Sequence, residues 1–90
     1  MPDHLLTFEL AKDGDELLIH ADAAGLRYLA AALTRLAQHA EAGRKEHIHL
    51  MTRDWSGDEL SSVAQDSEAS LLHQVTIHGW PKGGARDDVA

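Results

Sequence analysis

The chain is predicted to fold as an α+β domain, with one helix packed on one face of an antiparallel four-stranded sheet, in the chain order β-β-α-β-β. Three observations predict it. An Asp-Gly pair sits between two short segments of alternating apolarity, a long Leu- and Ala-rich stretch repeats every three to four residues, and two further alternating segments follow it. Ninety residues suffice for one domain with a single modest core. The expected boundaries are 1–81 for that domain and 82–90 for a flexible C-terminal tail.

Leu5 to Ala11 and Glu16 to His20 read as the first two strands, flanking Lys12-Asp13-Gly14-Asp15. Asp-Gly at the centre of a two-residue hairpin turn is favoured because both central residues take positive φ. Counting back from the turn pairs Leu10 with Leu17 and Phe8 with Ile19, and on the other face Glu9 with Leu18 and Thr7 with His20. The first set is apolar and is expected to face the helix, whereas the second is mixed and is expected to face away.

Asp22 is placed to cap a helix running to about Ala42, in which Leu26, Leu29, Ala30, Leu33, Leu36, Ala37 and Ala40 recur at three and four residues. Gly43 supplies the stop, and Arg44 and Lys45 suit the negative end of the helix dipole. At about 1.5 Å per residue the helix is roughly 30 Å long, enough to cross a small sheet. Glu46 to Met51 is the third strand, with Ile48 and Leu50 inward and His47, His49 and Met51 outward. The run 52–70, rich in Ser, Asp, Gly and Glu, reads as a long loop of the kind that carries function or is disordered. Leu71 to His78 is the fourth strand, with Leu71, Val75 and Ile77 inward, and Trp80-Pro81 ends it.

Composition closes several routes. Only four residues are aromatic (Phe8, Tyr28, Trp55, Trp80), so the core must be aliphatic, and the absence of cysteine excludes disulfides, thiolate catalysis and cysteine-bound zinc. No apolar run approaches the ~20 residues that span a bilayer, and the N-terminus lacks the basic and apolar regions of a signal peptide, so no membrane contact and a cytoplasmic location are expected. A formal charge of −7 argues against nucleic acid and is compatible with a basic protein partner. Plain solubility accounts for the same charge, and many acidic small domains have no basic partner.

The outer sheet face collects Leu5, Thr7, Glu9, Leu18, His20, His47, His49, Met51, Leu72, Gln74, Thr76 and His78, which is too apolar for a solvated surface. Protein cover is expected there, from the 52–70 loop, from a second copy in a homodimer through this face, or from a partner. His47 and His49 stand about 7 Å apart on one side of a strand, a separation at which two imidazoles can share a zinc ion. That spacing is generic and no acidic ligand supports it, so a hydrogen-bonded histidine patch is the reading and no metal or cofactor is expected. The loop serines lack a nucleophile setting and the loop carboxylates lack a pocket, so no catalytic residues are assigned. Trp55 among Asp54, Asp58 and Glu59 suits an interface anchor inside an acidic rim. Alternatively, it folds back to cap one end of the core.

Three segments together resemble one known family. They are Ala24-Gly25-Leu26 opening a leucine-rich helix, then His47-Ile48-His49-Leu50-Met51-Thr52 running into Trp55-Ser56-Gly57-Asp58-Glu59-Leu60, and finally His73-Gln74-Val75-Thr76-Ile77-His78 followed by Trp80. In this order, over about Leu5 to Trp80, the chain resembles the immunity protein 32 family of bacterial polymorphic-toxin systems. The resemblance implies a small cytoplasmic inhibitor that binds a cognate secreted toxin, basic if the chain's own charge is matched, and occludes its active surface. The surface expected to bind it comprises His47, His49, Asp54, Trp55, Asp58, Glu59, Asp66 and Glu68. The rival is a homodimeric small-ligand- or metal-binding domain that uses the histidine-rich face.

Overall fold

A computed structural model describes residues 3–84. Its elements are β1 (Leu6–Leu10), β2 (Leu17–Ala21), α1 (Ala23–Glu41), β3 (Glu46–Met51), a 3₁₀ turn (Arg53–Trp55), β4 (Ser70–Leu71) and β5 (Gln74–Gly79). Part of the expected 82–90 tail, residues 85–90, lies outside the described residues. No helix among the described residues is long and apolar enough to cross a membrane.

The mixed α+β class with one helix and antiparallel strands is present, but the single four-stranded sheet is not. The strands form a three-stranded sheet in the order β2-β1-β4 and a two-stranded sheet of β3 and β5. The segment expected as one strand over 71–78 is broken at Leu72 and His73, so Ser70 and Leu71 pair with β1 while Gln74–Gly79 pair with β3. The break also shifts the parity. Leu72, expected outward, packs against the core with Val75 and Ile77.

Hairpin pairing follows the register expected from the turn, with Phe8 opposite Ile19 and Thr7 opposite His20. The turn itself is longer than a two-residue loop. Ala11 donates to the Glu16 carbonyl and Gly14 to the Ala11 carbonyl, and only Gly14 takes positive φ (77°) while Asp13 does not. Asp13 instead accepts the Asp15 N–H through its side chain.

The face assignment of the hairpin is corrected on both sides. Phe8 is buried, but Leu10, Leu17 and Ile19 on the same side are substantially exposed. The reason is the position of α1, which lies chiefly against β3 and β5 and meets β2 more lightly. Thr7 and Glu9, expected to face outward, are fully buried, because residues 61–66 of the long loop cross over them.

That loop is built into the fold. Leu60 donates to the Met51 carbonyl and forms a parallel bridge with Thr52, and Ser61 donates to the Leu6 carbonyl and accepts the Leu6 N–H at its hydroxyl. Leu60 joins Leu6, Phe8 and Leu50 in the buried cluster that ties the two sheets together. At the start of α1, Asp22 accepts the Gly25 N–H at 2.8 Å as the cap. Its carboxyl is held below the ordinary aspartate value, first by that Gly25 bond.

Candidate functional site

The outer surface of the β3–β5 ribbon is bare and histidine-rich. His47, His49, Gln74, Thr76 and His78 are all exposed, as alternation on paired antiparallel strands requires. The His47 ring lies 4.9 Å from that of His49 and 5.5 Å from that of His78, centroid to centroid. His49 Nδ1 shares a hydrogen bond of 2.9 Å with Thr76 Oγ1, and Gln74 Nε2 approaches the same nitrogen at 3.2 Å. These side chains hold each other in a polar patch, and its rings offer donors, acceptors and flat surfaces to a partner. Among the described residues no group of three His, Asp or Glu side chains has an arrangement that could hold a metal ion.

The chain leaves this ribbon at Met51 and turns at once through Arg53–Trp55. Trp55 donates its N–H to the Thr52 carbonyl, closing the turn, and its side chain remains 53% exposed. The indole runs parallel to the His73 ring, with centroids 6.2 Å apart and 2° between planes. His73 is fixed from below, where its Nδ1 shares a 2.7 Å hydrogen bond with the buried Thr52 hydroxyl and its carbonyl accepts the Thr52 N–H. Asp54 Oδ2 lies 3.9 Å from the same ring nitrogen, an ion pair whenever the imidazole is protonated. Trp55 therefore does not fold back as a cap on the core. It stands half exposed beside His73 at the end of the histidine ribbon.

The eight residues expected to bind a partner divide by role. His47, His49, Asp54 and Trp55 lie on or beside the ribbon, and Asp58 is exposed in the following loop. Glu59 is partly buried and works internally, since its Oε1 accepts the Met51 N–H at 2.9 Å and closes the base of the turn. Burial first, then the charge of Glu59, push the Tyr28 hydroxyl above its ordinary value, against the opposing pull of Arg35. Asp66 and Glu68 line a different feature, an open groove of about 660 Å³ shared with Ala11, Lys12, Asp13, Glu16, Leu18 and Ala69 of and around the hairpin turn. Asp66 also organises its own turn by accepting the Glu68 N–H.

Two contributors were not singled out from sequence. His73 supports the indole, and its only visible signal was that a histidine interrupted the apolar pattern of a strand. Glu9 looked like one polar residue of an outer face, yet it anchors the loop. Its carboxylate accepts the Thr7 hydroxyl at 2.6 Å and the N–H groups of Gln65 and Asp66 at 2.9 and 3.1 Å. Burial pushes its acidity in the opposite direction, but the Thr7, Gln65 and Asp66 hydrogen bonds and the nearby His20 outweigh that and hold the carboxyl below the ordinary glutamate value.

Comparison with curated proteins finds no match, and neither does comparison with solved structures. A family model does match: residues 16–75 fit the model described as immunity protein 32. The matched span takes in the second hairpin strand, the helix, the histidine strand, the Trp55 turn and the whole of the 52–70 loop that Glu9 anchors. On that match over two thirds of its length, the chain belongs to the immunity protein 32 family.

Proposed function

We propose that the chain is an immunity protein that binds a cognate secreted toxin in the producing cell's cytoplasm and covers the toxin's active surface. Family membership supports the immunity role in general. The observation that supports this binding surface is the display of Trp55, half exposed beside His73 and next to the histidines of β3 and β5. A stoichiometric inhibitor needs an ordered surface rather than a catalytic centre, and anchors of this kind are concentrated in Trp, Tyr and Arg. Asp54 and Asp58 supply the acidic rim, Glu59 holds the turn that presents it, and Asp66 and Glu68 extend the negative field toward the hairpin. With a net charge of −7, this rim would speed encounter with a basic toxin face.

Co-expression with a candidate cognate toxin domain tests the reading. Wild type should restore growth of a host expressing the toxin, and failure to restore it would remove the immunity assignment. Asp58→Lys should slow association and weaken its salt dependence while leaving dissociation nearly unchanged.

A further inference from the structure

An apolar surface left open by the fold is one flank of α1, away from the proposed toxin-binding residues; the hairpin face of Leu10, Leu17 and Ile19 is another. Leu26 is 56% and Leu33 43% exposed, and Ala30 and Ala37 between and beyond them are exposed as well. These four residues follow one another at four, three and four positions, so they form one stripe. The side of the sheet that the stripe overlooks follows from its neighbours. Ala40, seven residues beyond Leu33 on the same flank, shares a groove with Trp80, Pro81 and Lys82, which continue β5. Leu36 covers Gly79 at the end of β5. The opposite flank carries Tyr28, which stacks on His4 at 4.8 Å ahead of β1. The open stripe therefore runs along the β5 side.

β5 is also the last strand of its sheet, with β3 on one edge. A free edge of this length is normally blunted by a proline, a lysine, an inward-pointing charge or a bulge. Between Gln74 and Gly79 the sequence has no proline, lysine or carboxylate, and the inward Val75 and Ile77 are only partly buried.

We propose that β5 pairs antiparallel with β5 of a second copy of this chain, giving a two-fold dimer. A continuous β3-β5-β5-β3 sheet would then carry both helices on one face, with the two stripes packed against each other. A second copy is the occupant that fits, because a two-fold interface must be complementary to itself. A surface of Leu, Ala, Val and Ile meets that condition in a chain whose charge of −7 would repel its own copy elsewhere. A basic partner would find no carboxylate within the stripe. The area is also sufficient. Leu26, Leu33, Ala30 and Ala37, with a Trp80 ring partly covered by Lys45 Nζ at 4.4 Å, leave an open apolar surface of roughly a few hundred Å². With the unpaired backbone edge of β5 added, this is the size of apolar centre that a standard interface of ~800 Å² per copy contains. The dimer would bring the histidine ribbons of both copies onto one opposite face, leaving Trp55 free on each.

This inference does not rest on the toxin reading, and it is tested on the purified full chain without a toxin. Sedimentation equilibrium at about 100 µM chain, far above the μM–pM dissociation constants of interfaces of this size, should give a dimer. Leu33→Glu should convert it to a monomer with an unchanged far-UV circular dichroism spectrum, because Leu33 is partly exposed in the single chain. Ile19→Lys, on the uncovered face of the hairpin, should leave it dimeric. Since the chain contains no cysteine, mild oxidation of Ala30→Cys should give a covalent dimer even if Leu33→Glu proves poorly folded. A monomeric wild type, a dimer that Ile19→Lys breaks, or no cross-link through Ala30→Cys would each overturn the proposal.

Discussion

Glu9→Ala puts the anchoring of the long loop to its most demanding test. The side chain is fully buried and serves as acceptor for three donors: the Thr7 hydroxyl and the N–H groups of Gln65 and Asp66. Removing it lets the hydroxyl turn to another acceptor, but the two backbone donors cannot move without the loop. Each buried N–H left unsatisfied costs about 1–3 kcal/mol, and release of the buried charge offsets part of that. The net loss should be about 3 kcal/mol, against a total stability of roughly 5–13 kcal/mol for a chain of this length. Glu9→Gln should cost less, about 1–2 kcal/mol, because its amide oxygen can take the Oε2 place and keep the Thr7 and Gln65 bonds while the NH₂ meets only the Asp66 N–H. Thr7→Val should cost only about 1 kcal/mol, the worth of one ordinary hydrogen bond. Urea unfolding measures the totals, and amide exchange at Gln65 and Asp66 locates the damage, since both amides should exchange much faster in Glu9→Ala. A Glu9→Ala protein within about 1 kcal/mol of wild type, with both amides still protected, would refute the anchor.

Further outcomes follow from the same geometry. Glu9 and Asp22 both titrate below their ordinary values in the folded chain, so the unfolded chain binds more protons in that range. Their contribution to stability should be fully present at neutral pH and lost as pH falls through 4.5 and below, which acid titration of the urea midpoint would show. Gly25→Ala should be severely destabilising, by about 3 kcal/mol or more, because its Cβ would overlap the Leu5 carbonyl oxygen. Thermal denaturation reads that directly. His47→Ala combined with His49→Ala should leave folding intact and cost about 1–2 kcal/mol at most, and a chelator should not change the melting temperature of wild type. Unfolding on chelation would restore the metal-binding reading.

The local geometry of the chain was readable from sequence, but the covering of its surfaces was not. The hairpin register followed from alternation and the turn position, and α1 from its three- and four-residue spacing with Asp22 as cap. These are properties of neighbouring residues. Which residues share a face is fixed by period, but what covers that face depends on where α1 comes to rest, and it rests over β3 and β5 rather than over Leu17 and Ile19. The 52–70 segment looked like a solvated loop because Leu60 and Ser61, the two residues that wire it into the sheets, are isolated in a polar run and create no period. Glu9 carries no sequence signal either, since two of its three donors are backbone N–H groups that no pattern marks. The exposed histidines of β3 were legible because strand alternation alone decides them. The role of His73 was not, because it depends on a bend at Leu72 and His73 that redirects the strand.

The Trp55 surface is where we propose that a toxin is held. The direct measurement is the dissociation rate of the complex between this chain and its cognate toxin domain, once that domain is identified by growth rescue, for wild type and Trp55→Ala. Loss of a central anchor worth about 2 kcal/mol or more should speed dissociation roughly thirtyfold, with association little changed, and the variant should fold normally because the side chain lies outside the core. Equal dissociation rates for the two proteins would contradict the account and place the toxin on another surface of the molecule.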